Sequence, residues 1–302
     1  MPDNAMATTL IVDIQRFCTH DGPGIRTTVF LKGCPLVCPW CQNPEARETD
    51  RELSFSRAAC ILCGRCVTAC PRHAHRIAHD GHLLDRARCQ RCFRCVGACR
   101  TGALEIVGRE RTVADVLRDV VRDRVFYETS GGGITLSGGE PAASPDFSFA
   151  LLSAARAEGI HTCIETSGYG TPEDVLKLSR VTDLFLWDIK ITDRESHLLL
   201  TGVPWASIID NLMAVDACGN SIILRCPCIT EINMTREHLD SLASLATRLR
   251  NCKGIELIPY HAFGTAKAEK IGKRLTPYGA PERSALLSAQ AYLRAKLHNT
   301  GT

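Results

Sequence analysis

Gly33-Cys-Pro-Leu-Val-Cys-Pro-Trp-Cys-Gln-Asn-Pro-Glu45 sets Cys34, Cys38 and Cys41 at C-x3-C-x2-C spacing. The loop supplies three thiolates rather than four. Soft thiolates this close favour an iron–sulfur group or zinc. A cubane iron–sulfur group has more irons than this loop has thiolates, so one iron is left open to a small chelating ligand. Zinc is the alternative, but it would need a fourth ligand, and none is in view in this stretch.

Two longer cysteine runs follow. Cys60, Cys63, Cys66 and Cys70 are spaced C-x2-C-x2-C-x3-C and precede Pro71. Cys89, Cys92, Cys95 and Cys99 repeat the spacing, with Arg100 in the proline's place. The repeat resembles a bacterial two-cluster ferredoxin, in which the fourth cysteine of each run serves the other run's cluster. That likeness implies one [4Fe-4S] cluster on Cys60, Cys63, Cys66 and Cys99, and a second on Cys89, Cys92, Cys95 and Cys70. Structural zinc usually joins two ligand couples across a longer loop, so the tight triplets disfavour it. A segment this short has little core of its own, and bound clusters would cross-link it.

The same segment is basic. Arg57, Arg65, Arg72, Arg76, Arg86, Arg88, Arg91, Arg94 and Arg100 are opposed there only by Asp80 and Asp85. The excess suits a docking face for an acidic electron donor such as flavodoxin or ferredoxin. It equally suits counter-charge for anionic clusters.

The 302 residues, 45% of them apolar, suffice for one barrel-sized domain with an insertion, or for two domains. No run of about 18 apolar residues is present, so no membrane span is expected. The N-terminus from Met1 to Leu10 does not read as a signal peptide. Seventeen cysteines without a sign of export read as ligands in a reducing compartment, and the cytoplasm is the expected location. The net charge of +3 points to no partner class, and neither nucleic acid nor membrane is an expected partner.

Outside the cysteine runs, short apolar stretches alternate with amphipathic ones. Strands are predicted at Thr27–Leu31, Ile134–Ser137, His161–Thr166, Leu184–Lys190, Ser221–Ile229 and Ile255–Tyr260. Helices are predicted at Val113–Arg124, Pro145–Glu158, Pro172–Ser179, Trp205–Ala217, Arg236–Arg250 and Pro281–His298. This alternation implies an α/β fold with a parallel sheet. Six strands suit a partial, open (β/α)6 barrel. The expected organisation is 1–54 for the first strand and the cysteine loop, 55–106 for the ferredoxin-like insert, and 107–302 for the remainder. In such folds chemistry sits at the carboxyl ends of the strands. Cys34–Cys41 follows the first strand, and Ser137-Gly-Gly-Glu-Pro141 the second. Glu165-Thr-Ser-Gly168 closes the third, Asp188-Ile-Lys190 ends the fourth, Arg225 lies within the fifth, and Tyr260-His261 ends the sixth.

With these motifs in place, the chain resembles the glycyl radical enzyme activating enzymes of the radical S-adenosylmethionine (SAM) superfamily. The run Asp21-Gly-Pro-Gly-Ile-Arg-Thr-Thr-Val-Phe-Leu-Lys-Gly-Cys34 is similar to that family's approach to its cluster. Ser137-Gly-Gly-Glu-Pro141, Asp188-Ile-Lys190 and Leu257-Ile-Pro-Tyr-His261 match in order and spacing, across roughly residues 10 to 275. The resemblance implies a radical SAM barrel and three [4Fe-4S] clusters in all. It implies reductive cleavage of SAM to methionine and a 5′-deoxyadenosyl radical. That radical would take a hydrogen from a glycine of a partner glycyl radical enzyme. The insert points away from the pyruvate formate-lyase type. It suits activators of lyases, dehydratases or decarboxylases acting on choline, glycerol, hydroxyproline, isethionate or aryl compounds. The insert would relay electrons, or serve as a spacer or gate. A radical SAM enzyme acting on a small molecule, and an electron-transfer protein, are the competing readings.

The resemblance also implies roles. Cys34, Cys38 and Cys41 would hold the SAM-cleaving cluster. Gly138, Gly139 and Glu140 would meet the methionine ammonium through backbone carbonyls, with Asp188 a second partner. Lys190 and Arg225 would hold the methionine carboxylate. His261 would contact the ribose or adenine, Trp40 would lie against adenine, and Asp21 would stand at the mouth where the glycine-bearing loop enters. Glu165 stands where the compared relative has aspartate beside a monovalent cation, so a cation site is a further expectation. Cys18, Cys163, Cys218, Cys226, Cys228 and Cys252 have no ligand spacing and read as free thiols.

Overall fold

The computed structural model describes residues 7–298. The segment from Met1 to Met6, read above as part of a non-leader N-terminus, lies outside them. The chain opens with β1 (Thr8–Cys18), β2 (Arg26–Leu31) and β3 (Glu52–Phe55). The insert continues with α1 (Arg65–Ala69), β4 (His75–Ala78), β5 (Gly81–Leu84), α2 (Arg94–Ala98) and β6 (Leu104–Val107). Next come β7 (Arg109–Thr112), α3 (Val113–Val121) and α4 (Arg124–Ser130). Strand and helix then alternate through β8 (Gly133–Gly138), α5 (Pro145–Ala157), β9 (His161–Thr166), α6 (Pro172–Ser179) and β10 (Leu184–Asp188). The rest comprises α7 (Arg194–Thr201), α8 (Trp205–Ala217), β11 (Ser221–Cys228), α9 (Arg236–Arg248), β12 (Cys252–Pro259), α10 (Phe263–Lys270) and α11 (Arg283–His298).

One eight-stranded sheet runs in the order β12-β11-β10-β9-β8-β2-β1-β7. All six expected strands are present, and from β2 to β12 they pair in parallel. Such strands are covered on both faces, so β2 and β8 are buried along nearly their whole length. Val29, Leu31, Ile134, Leu136, Ile164, Phe185, Trp187 and Leu224 anchor this core. Each side chain of that size contributes about 1.5–3 kcal/mol on burial.

The sheet also has two strands the sequence did not suggest. β1 pairs antiparallel with both β2 and β7. β7 reads Arg-Glu-Arg-Thr and carries no apolar alternation, and β1 is largely half-exposed. An edge strand supported by its neighbour's backbone needs no periodic signal of its own. The predicted helix Val113–Arg124 ends earlier, at Val121, as α3, and α4, α7 and α10 are additional. β10 stops at Asp188, so Lys190 lies just beyond the strand rather than on it. Among the described residues no single helix is long and apolar enough to cross a membrane.

The Asp21–Arg26 run has a structural reason. Arg26 is fully buried and donates to Thr135 Oγ1 at 2.6 Å, the Ile134 carbonyl at 2.6 Å and the Pro23 carbonyl at 3.1 Å. It ties the loop before β2 to β8.

The insert grows from a two-stranded stem in which β3 pairs antiparallel with β6. The stem straddles the boundaries expected at 54/55 and 106/107. Lys32, at the end of β2, buries its ammonium against Glu52, the first residue of β3, at 2.7 Å. It also donates to the Glu45 carbonyl at 2.6 Å. Arg86 bridges the insert to the main body through the carbonyls of Leu53 at 2.8 Å and Lys270 at 2.7 Å. Removing one partner of a buried pair strands the other charge. Glu52→Gln is therefore expected to cost about 3 kcal/mol. Thermal unfolding followed by circular dichroism should show a fall of about 5 °C.

Candidate active site

The carboxyl ends of the parallel strands open into a cavity of about 1300 Å³. Every main-body residue singled out from the sequence lines it: Asp21, Cys34, Cys38, Trp40, Cys41, Gly138, Gly139, Glu140, Glu165, Asp188, Lys190, Arg225 and His261. These residues come from five strand ends and two loops, so only the fold brings them together.

The cysteine loop is held at both ends. Cys34 N donates to the Arg47 carbonyl at 2.9 Å, and Val37 N to the Thr201 carbonyl at 2.8 Å. Burial pushes the Cys34 thiol up to about 12 and the Cys38 thiol up to about 11, and raises Cys41 as well. Three crowded, buried thiols keep their protons unless a metal displaces them. The donor set therefore fits an iron–sulfur cluster.

The Gly138-Gly139 pair lies against the backbone of β2 and the start of this loop. Gly139 N donates to the Leu31 carbonyl and Glu140 N to the Gly33 carbonyl, both at 2.8 Å. A Cβ at Gly139 would stand 2.2 Å from the Gly33 oxygen. The requirement for glycine thus comes from the protein's own backbone. The Glu140 side chain is also committed internally. Its carboxylate accepts from Thr166 Oγ1 at 2.5 Å, Ser167 Oγ at 2.6 Å and Ser167 N at 2.9 Å, and pins the end of β9. Burial raises its pKa, opposed by these donors.

Two acids and two cations meet at the centre of the cavity. Lys190 Nζ lies 2.9 Å from Asp188 Oδ2. Burial works against the Lys190 charge, but Asp188 and the neighbouring thiols outweigh it, so the ammonium is held above its ordinary range. Arg225 donates from Nη1 to Glu165 at 2.6 Å and from Nη2 to the His20 carbonyl at 3.0 Å. Its Nε is buried, lies 3.3 Å from Glu256, and makes no hydrogen bond. Glu165 spends its other oxygen on Ser137 Oγ at 2.5 Å. Burial and Asp188 push the Glu165 carboxyl up, and Arg225 opposes them.

His261 Nδ1 is a second buried polar atom without a partner. Trp40 is buried and stands edge-on to Tyr278, with ring centroids 6.3 Å apart. Asp21 accepts from Thr28 Oγ1 at 2.6 Å, which fixes its carboxylate on β2. Sequence reasoning did not single out Ser137, Thr166 or Ser167 as supports, although all three lie inside quoted motifs. It gave no signal for Gln290, Leu293 and Arg294 of α11, which line the cavity because the chain folds back over β12.

In the insert, Cys60, Cys63, Cys66 and Cys99 line one small pocket. Cys95 is influenced by Cys89, Cys70 and Cys92 on the other side. His75 and His82 lie buried beside the first set, and burial drives His75 down to about 4 and His82 below its usual value. None of the cysteines forms a disulfide, and of the six outside the runs Cys163, Cys226 and Cys228 are buried.

Comparison with known proteins agrees with this geometry. A family model described as the radical SAM superfamily matches residues 87–243. A 4Fe-4S dicluster domain matches 52–100, and a 4Fe-4S single cluster domain matches 20–69. The chain is 42% identical to the benzylsuccinate synthase activating enzyme of Thauera aromatica, over 89% of this chain and 83% of that one. It is 41% identical to the trans-4-hydroxy-L-proline dehydratase activating enzyme of Clostridioides difficile, over 88% of each. It is 39% identical to the choline trimethylamine-lyase activating enzyme of Oleidesulfovibrio alaskensis, over 91% of each. Among solved structures, a radical SAM methyltransferase from Sphaerobacter thermophilus superposes with a TM-score of 0.54 at 16% identity. That match covers 95% of this chain and 75% of that one, and it shares the fold alone. Cavity, cysteine loops and relatives converge: the chain belongs to the glycyl radical enzyme activating enzymes of the radical SAM superfamily, which use SAM and iron–sulfur clusters.

Proposed function

We propose that this enzyme takes up SAM in the strand-end cavity and uses it to activate a glycyl radical enzyme other than pyruvate formate-lyase. The observation that carries the reading is the convergence of three buried thiols with two nitrogens that make no hydrogen bond, Arg225 Nε and His261 Nδ1, on one cavity. Cys34, Cys38 and Cys41 hold the [4Fe-4S] cluster that supplies the electron for cleaving the S–C5′ bond. Arg225 and Lys190 hold the methionine carboxylate, and Arg225 has the spare donor that a carboxylate can take up. Asp188 and the Gly138–Gly139 backbone hold the ammonium. His261 and Trp40 hold the adenosine end, and Asp21 meets the incoming glycine loop. Glu165 is the counter-ion of Arg225 and accepts from Ser137, and the lone pairs left on its two oxygens serve the expected monovalent cation.

The sheet serves as the partial barrel of the family. The insert holds two further [4Fe-4S] clusters in the crossed arrangement, for a total of three. Arg57, Arg65, Arg72, Arg76, Arg94 and Arg100 are exposed on it and suit an acidic flavodoxin or ferredoxin donor. Arg86 is excluded from that role because it ties the insert to the main body.

Identity does not choose the partner, because three relatives named for a synthase, a dehydratase and a lyase lie within 39–42%. The test is anaerobic incubation of the reduced enzyme with SAM and each glycyl radical enzyme encoded in the same genome. One of them should develop a glycine-centred doublet in electron paramagnetic resonance. Cleavage of SAM with no doublet on any candidate would overturn the reading.

A further inference from the structure

The two halves of the insert repeat at 29 residues, the separation of Cys60 and Cys89. Strand pairing makes their equivalence explicit. His75 of β4 pairs with Leu84, while Leu104, 29 residues later on β6, pairs with Phe55. Ile77 pairs with His82, while Ile106 pairs with Leu53. His75 and His82 therefore occupy the places that Leu104 and Leu53 occupy in the other half. All four side chains are buried, from 2% to 4% exposed. Leucine packs such sites without cost, whereas two imidazoles must satisfy their nitrogens there.

The contacts show what the substitution accomplishes. His82 Nδ1 lies 3.5 Å from Cys60 Sγ, and His82 Nε2 lies 2.9 Å from His75 Nδ1. Cys66 Sγ is 3.7 Å from His82 Nε2. A thiolate bound to iron has no proton to give, so the Cys60 contact needs the proton on His82 Nδ1. A neutral imidazole carries a single N–H. His82 Nε2 is then an acceptor, and His75 Nδ1 is the group that donates to it. In that tautomer Cys66 receives no proton from His82. His75 thus selects the tautomer of His82 as well as its orientation.

Hydrogen bonds to cluster sulfurs are among the levers that set reduction potential. An N–H aimed at a ligand sulfur favours the reduced, more negative state. Resting on the three-cluster reading above, we infer that the His75–His82 relay makes the cluster on Cys60, Cys63, Cys66 and Cys99 easier to reduce than leucines at these two places would leave it; the other half has donors of its own, Arg91 N to Cys89 Sγ at 3.4 Å and Ala74 N to Cys70 Sγ at 3.3 Å. The relay breaks the symmetry of a repeat that otherwise gives both halves the same ligand spacing.

The experiment is a potentiometric titration of the full-length, anaerobically reconstituted protein, followed by electron paramagnetic resonance. His82→Leu is expected to lower the reduced-to-oxidised ratio of one insert signal about tenfold at fixed potential, which is 59 mV for one electron. His75→Leu should move the same signal in the same direction, by less. His82→Gln keeps an N–H donor and should recover most of the ratio. The other clusters' signals should stay in place. A ratio unchanged within twofold in both leucine variants would overturn the inference. So would loss of iron in both, since the pair would then hold the site together without tuning it. Wild-type protein with iron only at the Cys34–Cys41 loop would instead remove the three-cluster reading.

Discussion

Cys38→Ala is expected to reduce SAM cleavage to nothing measurable, read as methionine and 5′-deoxyadenosine by chromatography. Cys38 is buried in the middle of the loop and has no spare neighbour to replace it: among the described residues the cysteines lining the cavity are Cys18, Cys34, Cys38 and Cys41. Cys18 lies at the end of β1 and hydrogen-bonds the Gln15 carbonyl at 3.5 Å, outside the loop. Two thiols alone make a poor seat for a cluster. Iron content should fall only in part, because the insert cysteines lie in a separate pocket. Cys163→Ala is the matched control. Cys163 is as deeply buried, and burial pushes its thiol up to about 12, yet it has no ligand neighbours in sequence. It should keep its SAM cleavage. Loss of activity in both variants would mean that general destabilisation, not ligation, explains the first result.

Gly139→Ala should be nearly as damaging. Its Cβ would meet the Gly33 oxygen at 2.2 Å, and that oxygen cannot easily retreat. It accepts from Glu140 N, while Gly33 N is tied to the Ala46 carbonyl at 2.7 Å. Relief must come from separating the β8 loop from the start of the cysteine loop, which displaces Cys34. The expected cost is about 3 kcal/mol, in the upper range for single substitutions. SAM binding, measured by isothermal titration of reconstituted protein, should weaken well beyond what that stability loss explains. Gly97→Ala in α2 is the contrast, because a Cβ there meets nothing within 4 Å. It should be neutral or slightly stabilising, by up to about 1 kcal/mol.

The legible part of this protein was what repeats or alternates. Five of the six parallel strands, β2, β8, β9, β10 and β11, are mostly buried, so their apolar runs had to be written into the chain. The cysteine spacings are equally local, since each run of thiols lies within a few residues. Where support came from another segment, the sequence said little. β7 forms from Arg-Glu-Arg-Thr because β1 offers it a ladder. One steric reason for glycine at 139 lies on Gly33, more than a hundred residues earlier. The sequence suggested a backbone role for the Glu140 segment and said nothing of its side chain, which is a buried clamp on β9.

The sequence by itself determined the ligand types, their spacing and the order of strand and helix, because those depend on residues close in the chain. Only the tertiary structure decided which motifs share a cavity, which carboxylates are already neutralised by Lys190 and Arg225, and which buried nitrogens make no hydrogen bond. It alone also paired His75 with His82 beside Cys60. These properties depend on distance and burial between residues far apart in the chain, and linear order carries no record of either.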